Sequence, residues 1–167
     1  GFATLDFNIW PTIAKVTIIA LMFIGACAGS TGGGFKVSRV IILFKGMIRE
    51  VGNIIHPRRV KKITVDGKAV SHEVTRSVNA YLVTYVLIVS VSFFLISFDN
   101  YSVTEGSKLV TNFTAVMATV NNIGPGLDMV GPTVNFSFFN PFSKLVLIFD
   151  MLAGRLELFP MLLLFSP

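Results

Sequence analysis

Charge is scarce in this chain: Asp, Glu, Lys and Arg make up 14% of its 167 residues, where an ordinary soluble domain carries roughly a quarter. Cysteine is almost absent. The single one, Cys27, lies in an apolar stretch, which excludes an intrachain disulfide and leaves the redox compartment unread. Only two histidines occur, His56 and His72, and they lack metal-ligand spacing. No Ser/His/Asp set and no close carboxylate pair is discernible, so an enzyme is not expected, and neither an organic cofactor nor a nucleic-acid partner is implied. The chain has no initiator methionine and no signal-peptide pattern. It opens abruptly on GFATLDFNIWP and reads as a piece of a longer protein.

What fills the space is apolar. Hydrophobic residues make up 53%, with 16 phenylalanines and a mean hydropathy of +0.73, the balance of a membrane protein. Residues 78–98, VNAYLVTYVLIVSVSFFLISF, carry no charge over 21 positions, and about 20 apolar residues span a bilayer. Residues 141–165 are long enough to cross as well, although Asp150, Arg155 and Glu157 interrupt them. The segment 107–120 is too short to cross, and NNIGPGLDMVGP follows it, where Gly and Pro forbid continuation. A short apolar helix running into polar backbone between two spanning helices is the pattern of a re-entrant segment, which survives only where protein buries it or where it lines a watery cavity.

Between Met47 and Arg76, Lys and Arg outnumber Asp and Glu, which marks the cytoplasmic side. Within that segment KKITVDGKAVSHEV has β-branched runs around Asp66-Gly67, the signal of a hairpin; the alternative is a solvated basic loop. Counting crossings puts the loop at 99–106 outside and the C-terminus inside. The expected architecture is all-α transmembrane. It consists of tandem helix, pore loop, helix repeats of potassium-channel type, with a small cytoplasmic β-hairpin between repeats. Residues 1–50 form the end of one repeat, 51–76 the basic loop, and 77–167 a complete next repeat, in which 78–98 is the outer helix, 107–120 the pore helix, 120–126 the filter and 141–165 the inner helix. An offset of 129 residues superposes Lys15 on Lys144, Met22 on Met151 and Gly25 on Gly154, and sets Arg155 at the depth of Ala26.

Between the apolar runs TIAKVTIIALMFI and VIILF stands GACAGSTGGGFK, residues 25–36. Three readings compete. A phosphate loop needs Lys directly after the second Gly and then Ser or Thr, whereas Phe35 and Val37 occupy those places. Helix packing through GxxxG spacing accounts for Gly25, Gly29 and Gly33, but not for three successive glycines, each costing a helix about 1 kcal/mol relative to Ala. A broken helix lining a cavity accounts for both. From Pro11 to Gly25 is about 21 Å of helix at 1.5 Å per residue, so the break lies below the outer surface and still within the membrane. Arg155 has two readings: an ion pair with Asp150 or Glu157, or a positive charge beside the pore at the level of the break. Lys36, Arg39 and Lys45 are expected to snorkel toward the cytoplasm, and Lys15 and Lys144 toward the outer interface.

GFATLDFNIWP, GSTGGGFK, NNIGPG and MLAGRLELFPMLLLFSP together resemble the C-terminal third of a TrkH-type potassium uptake protein of the Trk/Ktr/HKT superfamily. The resemblance implies four tandem repeats around a pseudo-fourfold pore, of which this chain holds the end of the third and all of the fourth. It implies filter glycines at Gly1 and Gly124, with K⁺ held by backbone carbonyls of Val120, Asn121, Asn122 and Ile123. It also makes Gly25, Ala28, Gly29, Ser30, Thr31, Gly32, Gly33 and Gly34 an intramembrane gate, with Arg155 beside it. The implied partners are a second copy of the protein, the remaining repeats, a cytosolic TrkA-type nucleotide-binding ring and membrane lipids. Segment 49–76 serves either the ring or anionic lipids. K⁺ uptake, Na⁺-coupled or Na⁺-permeable transport in the same superfamily, a membrane assembly subunit and a nucleotide-binding enzyme remain as alternatives.

Overall fold

The computed structural model describes residues 3–27, 29–30, 32–55, 63–65, 67–102 and 104–156. Helix α1 (Thr12–Ile24) follows the extended Pro11 and stops at Gly25, whose N–H still bonds to Leu21 O. Helix α2 (Val37–Ile55) resumes the path, its first N–H reaching back to the carbonyl of Ala26 at 3.1 Å. It runs seven residues beyond the expected 48. Ile41, Phe44, Ile48, Val51 and Ile55 continue one apolar stripe at helical spacing, and no proline intervenes before Pro57.

Strands β1 (Thr64–Val65) and β2 (Lys68–Ala69) pair antiparallel, Thr64 opposite Ala69 and Val65 opposite Lys68. Lys45 ties this hairpin to α2 by donating to Thr64 O at 2.7 Å. The lysine expected to snorkel is therefore engaged by backbone.

Helix α3 (His72–Ser97) starts six residues before the expected 78, because Ser71 caps it by accepting from Val74 N–H and Glu73 suits its first turn. It is the one helix among the described residues long and apolar enough to cross a bilayer. Helix α4 (Glu105–Val120) begins two residues early, with Lys108 and Glu105 paired at 3.6 Å. Helix α5 (Pro141–Arg155) has its proline at N1, where no N–H is needed. The expected continuation to 165 lies outside the described residues beyond Leu156.

Helix α4 sits at the centre, packed by α5, α3 and α1, while α2 lies on α3. Its C-terminal ten residues are buried apart from the half-buried Phe113. Thr114 and Thr119 satisfy their hydroxyls on Val110 O and Ala115 O, at 2.8 and 2.9 Å, so burying them leaves no hydroxyl unpaired. The long α3 meanwhile leaves Val83, Leu87 and Phe94 exposed. A polar-bearing helix inside and a long apolar one outside suits a lipid solvent better than water.

The 129-residue offset reappears in the backbone. Asp6 accepts from Asn8 N–H to open a 3₁₀ turn at Phe7–Ile9, followed by extended Trp10 and Pro11 and then α1. Asn135 accepts from Ser137 N–H to open a 3₁₀ turn at Phe136–Phe138, followed by extended Phe139 and Asn140 and then α5. Pro11 corresponds to Asn140 rather than to Pro141. At Gly25 the chain leaves the helix, and at Gly154 it stays helical for one more residue.

Candidate functional site

The end of α4 is built by its own sequence. Asn122 adopts φ 53°, its N–H bonds to Thr119 O at 3.0 Å, and the N–H of Ile123 bonds to Ala118 O at 2.9 Å. This is a Schellman cap with Asn in the left-handed position that Gly usually takes. Ile123 packs with Met117, Ala118 and Met22 of α1, completing the hydrophobic contact of that motif. The cap uses the carbonyls of Ala118 and Thr119. Among the described residues, no hydrogen bond is accepted by the carbonyls of Val120, Asn121, Asn122 or Ile123.

Those four carbonyls do not share one environment. Val120 O lies against Gly154 of α5, and Asn121 C=O lies against Gly33 of the Gly-rich break. Asn122 and Ile123 lie between two cavities. One, of about 390 Å³, is bounded by Met22, Gly25 and Gly33; the other, of about 630 Å³, extends past Gly124 to Leu147 and Met151 of α5. Asn122 Nδ2 donates to Met151 O at 3.1 Å, which fixes the limb to α5.

Beyond Gly124 the chain returns along α4. Thr114 Oγ1 accepts from Leu127 N–H at 3.0 Å, and the carbonyl of Val130 accepts from Gly126 N–H at 2.6 Å. Asn8, from the segment before α1, holds the same limb with its amide: Oδ1 accepts from Asp128 N–H at 2.8 Å and Nδ2 donates to Asp128 O at 3.2 Å. Asp128 is itself in the left-handed region, and its carboxylate accepts from Ser107 Oγ. On the same side Tyr101 donates to Asn112 Oδ1 at 2.7 Å. Burial first, then the charges of Asp99, Asp128 and Glu105, push its phenol up to about 12.

The Gly-rich break has an exposed half and a buried half. Cys27, Gly29 and Ser30 are exposed, with Ser30 Oγ accepting from Gly32 N–H at 3.1 Å. Gly33, Gly34 and Phe35 are buried. Phe35 is wholly enclosed by Phe23, Tyr81 and Tyr85, with ring centroids between 5.8 and 6.2 Å from its own. Burying a Phe side chain contributes about 1.5–3 kcal/mol, so this residue pins the break to α3. The Arg39 guanidinium stacks on Tyr81, its Cζ 3.9 Å from the ring centroid, and so packs inward where a snorkelling anchor was expected.

Of the residues singled out from sequence, Asn121, Gly33 and Gly34 are brought together, and Gly25 borders the same cavity. Gly1, Ala28 and Thr31 lie outside the described residues. Arg155 is exposed at the end of α5, one residue past the glycine that packs on Val120. Of the two suggested partners of Arg155, Glu157 lies outside the described residues and Asp150 is not paired with it: Asp150 is fully buried toward α3 and accepts from Ser92 Oγ at 2.6 Å. Five residues along a helix point away from each other, which the spacing already indicated. Sequence reasoning passed over Phe35, Tyr81 and Tyr85. Phe35 was the residue that spoiled the phosphate-loop pattern, and the two tyrosines stand four apart in an otherwise apolar run.

A polar-bearing helix inside an apolar shell, ending in carbonyls that no group among the described residues bonds, suits a membrane transport protein, and comparison with known proteins narrows this. Residues 1–167 match the family model TrkH, described as a cation transport protein. The Trk system potassium uptake protein TrkH of Escherichia coli K12 is 40% identical over the whole chain, which covers 33% of that protein. TrkG of the same strain is 36% identical over 99% of the chain, and TrkI of Halomonas elongata 30% identical over all of it. The crystal structure of the potassium transporter TrkH from Vibrio parahaemolyticus superposes with a TM-score of 0.83 at 39% identity, covering all of this chain and 34% of that one. The chain belongs to the TrkH family. It spans about a third of the length of the curated relatives it matches.

Proposed function

We propose that this chain forms the end of one pore repeat and the whole of the next in a protein that takes up K⁺ across the cell inner membrane. The relatives are named as potassium uptake proteins, and membership of their family supports that activity for a protein of which this chain would form about a third. In this reading the limb 120–124 is one wall of the selectivity filter, and the Gly-rich break between α1 and α2 is the intramembrane gate. Helix α3 and the α5 segment cross the bilayer, with the hairpin and the C-terminus in the cytoplasm. Two copies of the protein and a TrkA-type ring complete the assembly.

The observation that carries the proposal is the Schellman-capped end of α4. It turns the backbone of Asn122 and Ile123 out of the helix with carbonyls that no group among the described residues satisfies, directly beside a break whose buried half abuts Asn121. Unbonded carbonyls at membrane depth need an ion, water or a polar partner. Rubidium-86 uptake by the full-length protein carrying a deletion within 29–34 tests the gate. Raised or unregulated flux is expected, and unchanged flux and regulation would sink it.

A further inference from the structure

The tandem Asn121-Asn122 divides its side chains between two neighbours. Asn122 reaches α5 through Met151 O. Asn121 reaches the other way: it is 3% exposed, its Oδ1 accepts from Tyr85 Oη at 3.0 Å, and its Nδ2 is buried without a partner among the described residues. The Gly-rich break forms the floor beneath it. A Cβ on Gly33 would lie 2.9 Å from both C and O of Asn121, and one on Gly34 would lie 2.8 Å from Asn121 Oδ1. Only glycine permits this approach, and it seats the backbone of the break directly on the residue that starts the limb. One turn from Tyr85, Tyr81 donates to Gly34 O at 3.4 Å. Two tyrosines on one face of α3 thus hold the two sides of a single junction, one the break and the other the limb.

We propose that Tyr85 and Asn121 are positioning residues that couple the Gly-rich gate to the filter, so that displacing the break and rotating the Asn121 carbonyl are one transition. This rests on the gate reading above and goes beyond it. Asn121 is the cap residue of the Schellman turn, and its orientation sets the direction of Asn122, Ile123 and Gly124. The α5 side of the limb is fixed by the Asn122 bond and by Gly154 against Val120. When Gly33 and Gly34 move away, the side that yields is the one resting on them. Coupling between two sites is reciprocal: if the break biases the filter, the ion in the filter biases the break.

That reciprocity is measurable with Cys27, the only cysteine of this chain and exposed in the break. In full-length protein reconstituted in proteoliposomes, with any cysteines elsewhere replaced by serine, a methanethiosulfonate reagent is expected to label Cys27 at rates differing about fivefold or more between saturating K⁺ and Na⁺. Tyr85→Phe keeps the ring and removes the hydroxyl. It should bring the two rates within about twofold of each other and lower the K⁺ over Na⁺ permeability ratio; a purely structural tyrosine would alter neither. Equal rates in K⁺ and Na⁺ for the unmodified sequence overturn the coupling without any variant having to fold, and so does an ion dependence that survives Tyr85→Phe. If labelling ignores the ion while the deletion within 29–34 raises flux, the gate stands and the coupling falls.

Discussion

Gly154→Ala should destabilise this protein although it exchanges a poor helix former for the best one. In α5 the Cα of Gly154 rests on the carbonyl of Val120. An added Cβ would overlap the Val120 oxygen and lie 2.8 Å from both the Val120 carbonyl carbon and Asn122 Nδ2. Carbonyl carbon and oxygen are backbone, held by the cap of α4, so no rotamer change relieves the clash and α5 must move off α4. Overpacking a tight site costs about 3 kcal/mol at the upper end, against which alanine returns about 1 kcal/mol of helix propensity. The net expectation is a loss of about 2 kcal/mol. Gly52→Ala is the counterpart: α2 has nothing within 4 Å of that position, so only the propensity term acts and the sign reverses to a gain of up to about 1 kcal/mol. Thermal half-lives of the purified full-length variants, followed by size-exclusion chromatography after heating, rank the two. Rubidium-86 uptake should fall for Gly154→Ala alone, since α5 also holds Asn122 through Met151. A Gly154→Ala protein as stable and as active as Gly52→Ala would refute the close approach of α5 to the limb.

Asn8→Ala removes both amide bonds to Asp128 and should speed hydrogen exchange at residues 126–130, at a cost of about 2 kcal/mol for two bonds; Asn8→Asp keeps the acceptor but sets a carboxylate oxygen against Asp128 O, and should cost at least as much. Ser92→Ala leaves Asp150 buried with no hydrogen bond among the described residues and should cost about 1–3 kcal/mol in thermal stability. Adding Asp150→Leu to it should recover part of that loss, and an additive double variant would count against a direct bond. The Tyr101 phenol is raised from 10.0 to about 12 in the folded chain, so the folded state favours its neutral form. Its contribution is therefore complete below pH 10 and is lost as pH rises through 12; Tyr101→Phe should flatten that alkaline limb in a fluorescence unfolding series.

The helices of this protein were legible because composition decides them locally. An uncharged run marked α3, a proline and an apolar period marked α1 and α5, and Asp66-Gly67 marked the hairpin. Boundaries moved where a cap outweighed hydropathy: Ser71 started α3 in polar sequence, and the apolar stripe of α2 ran on past Met47. The break between α1 and α2 was legible as well, since three successive glycines cost a helix about 3 kcal/mol relative to alanine. Its support was not. Phe35, Tyr81 and Tyr85 each look like ordinary apolar or aromatic positions, and nothing in their spacing tells which of them face one another.

The same division runs through the candidate site. NNIGPG announces by itself that α4 must end and that its backbone is left without helical partners, because Asn tolerates the left-handed cap and Pro removes a donor. The neighbours that receive those groups stand 29 to 120 residues away, or on the far side of the break: Gly154 on Val120, Gly33 on Asn121, Met151 on Asn122 and Asn8 on Asp128. Sequence determined where backbone is freed, since that depends on each residue's own dihedral limits and hydrogen-bonding groups. Tertiary structure alone decided which surface each freed group meets, because close approach between glycine and carbonyl is a property of two packed segments and leaves no mark on either one alone.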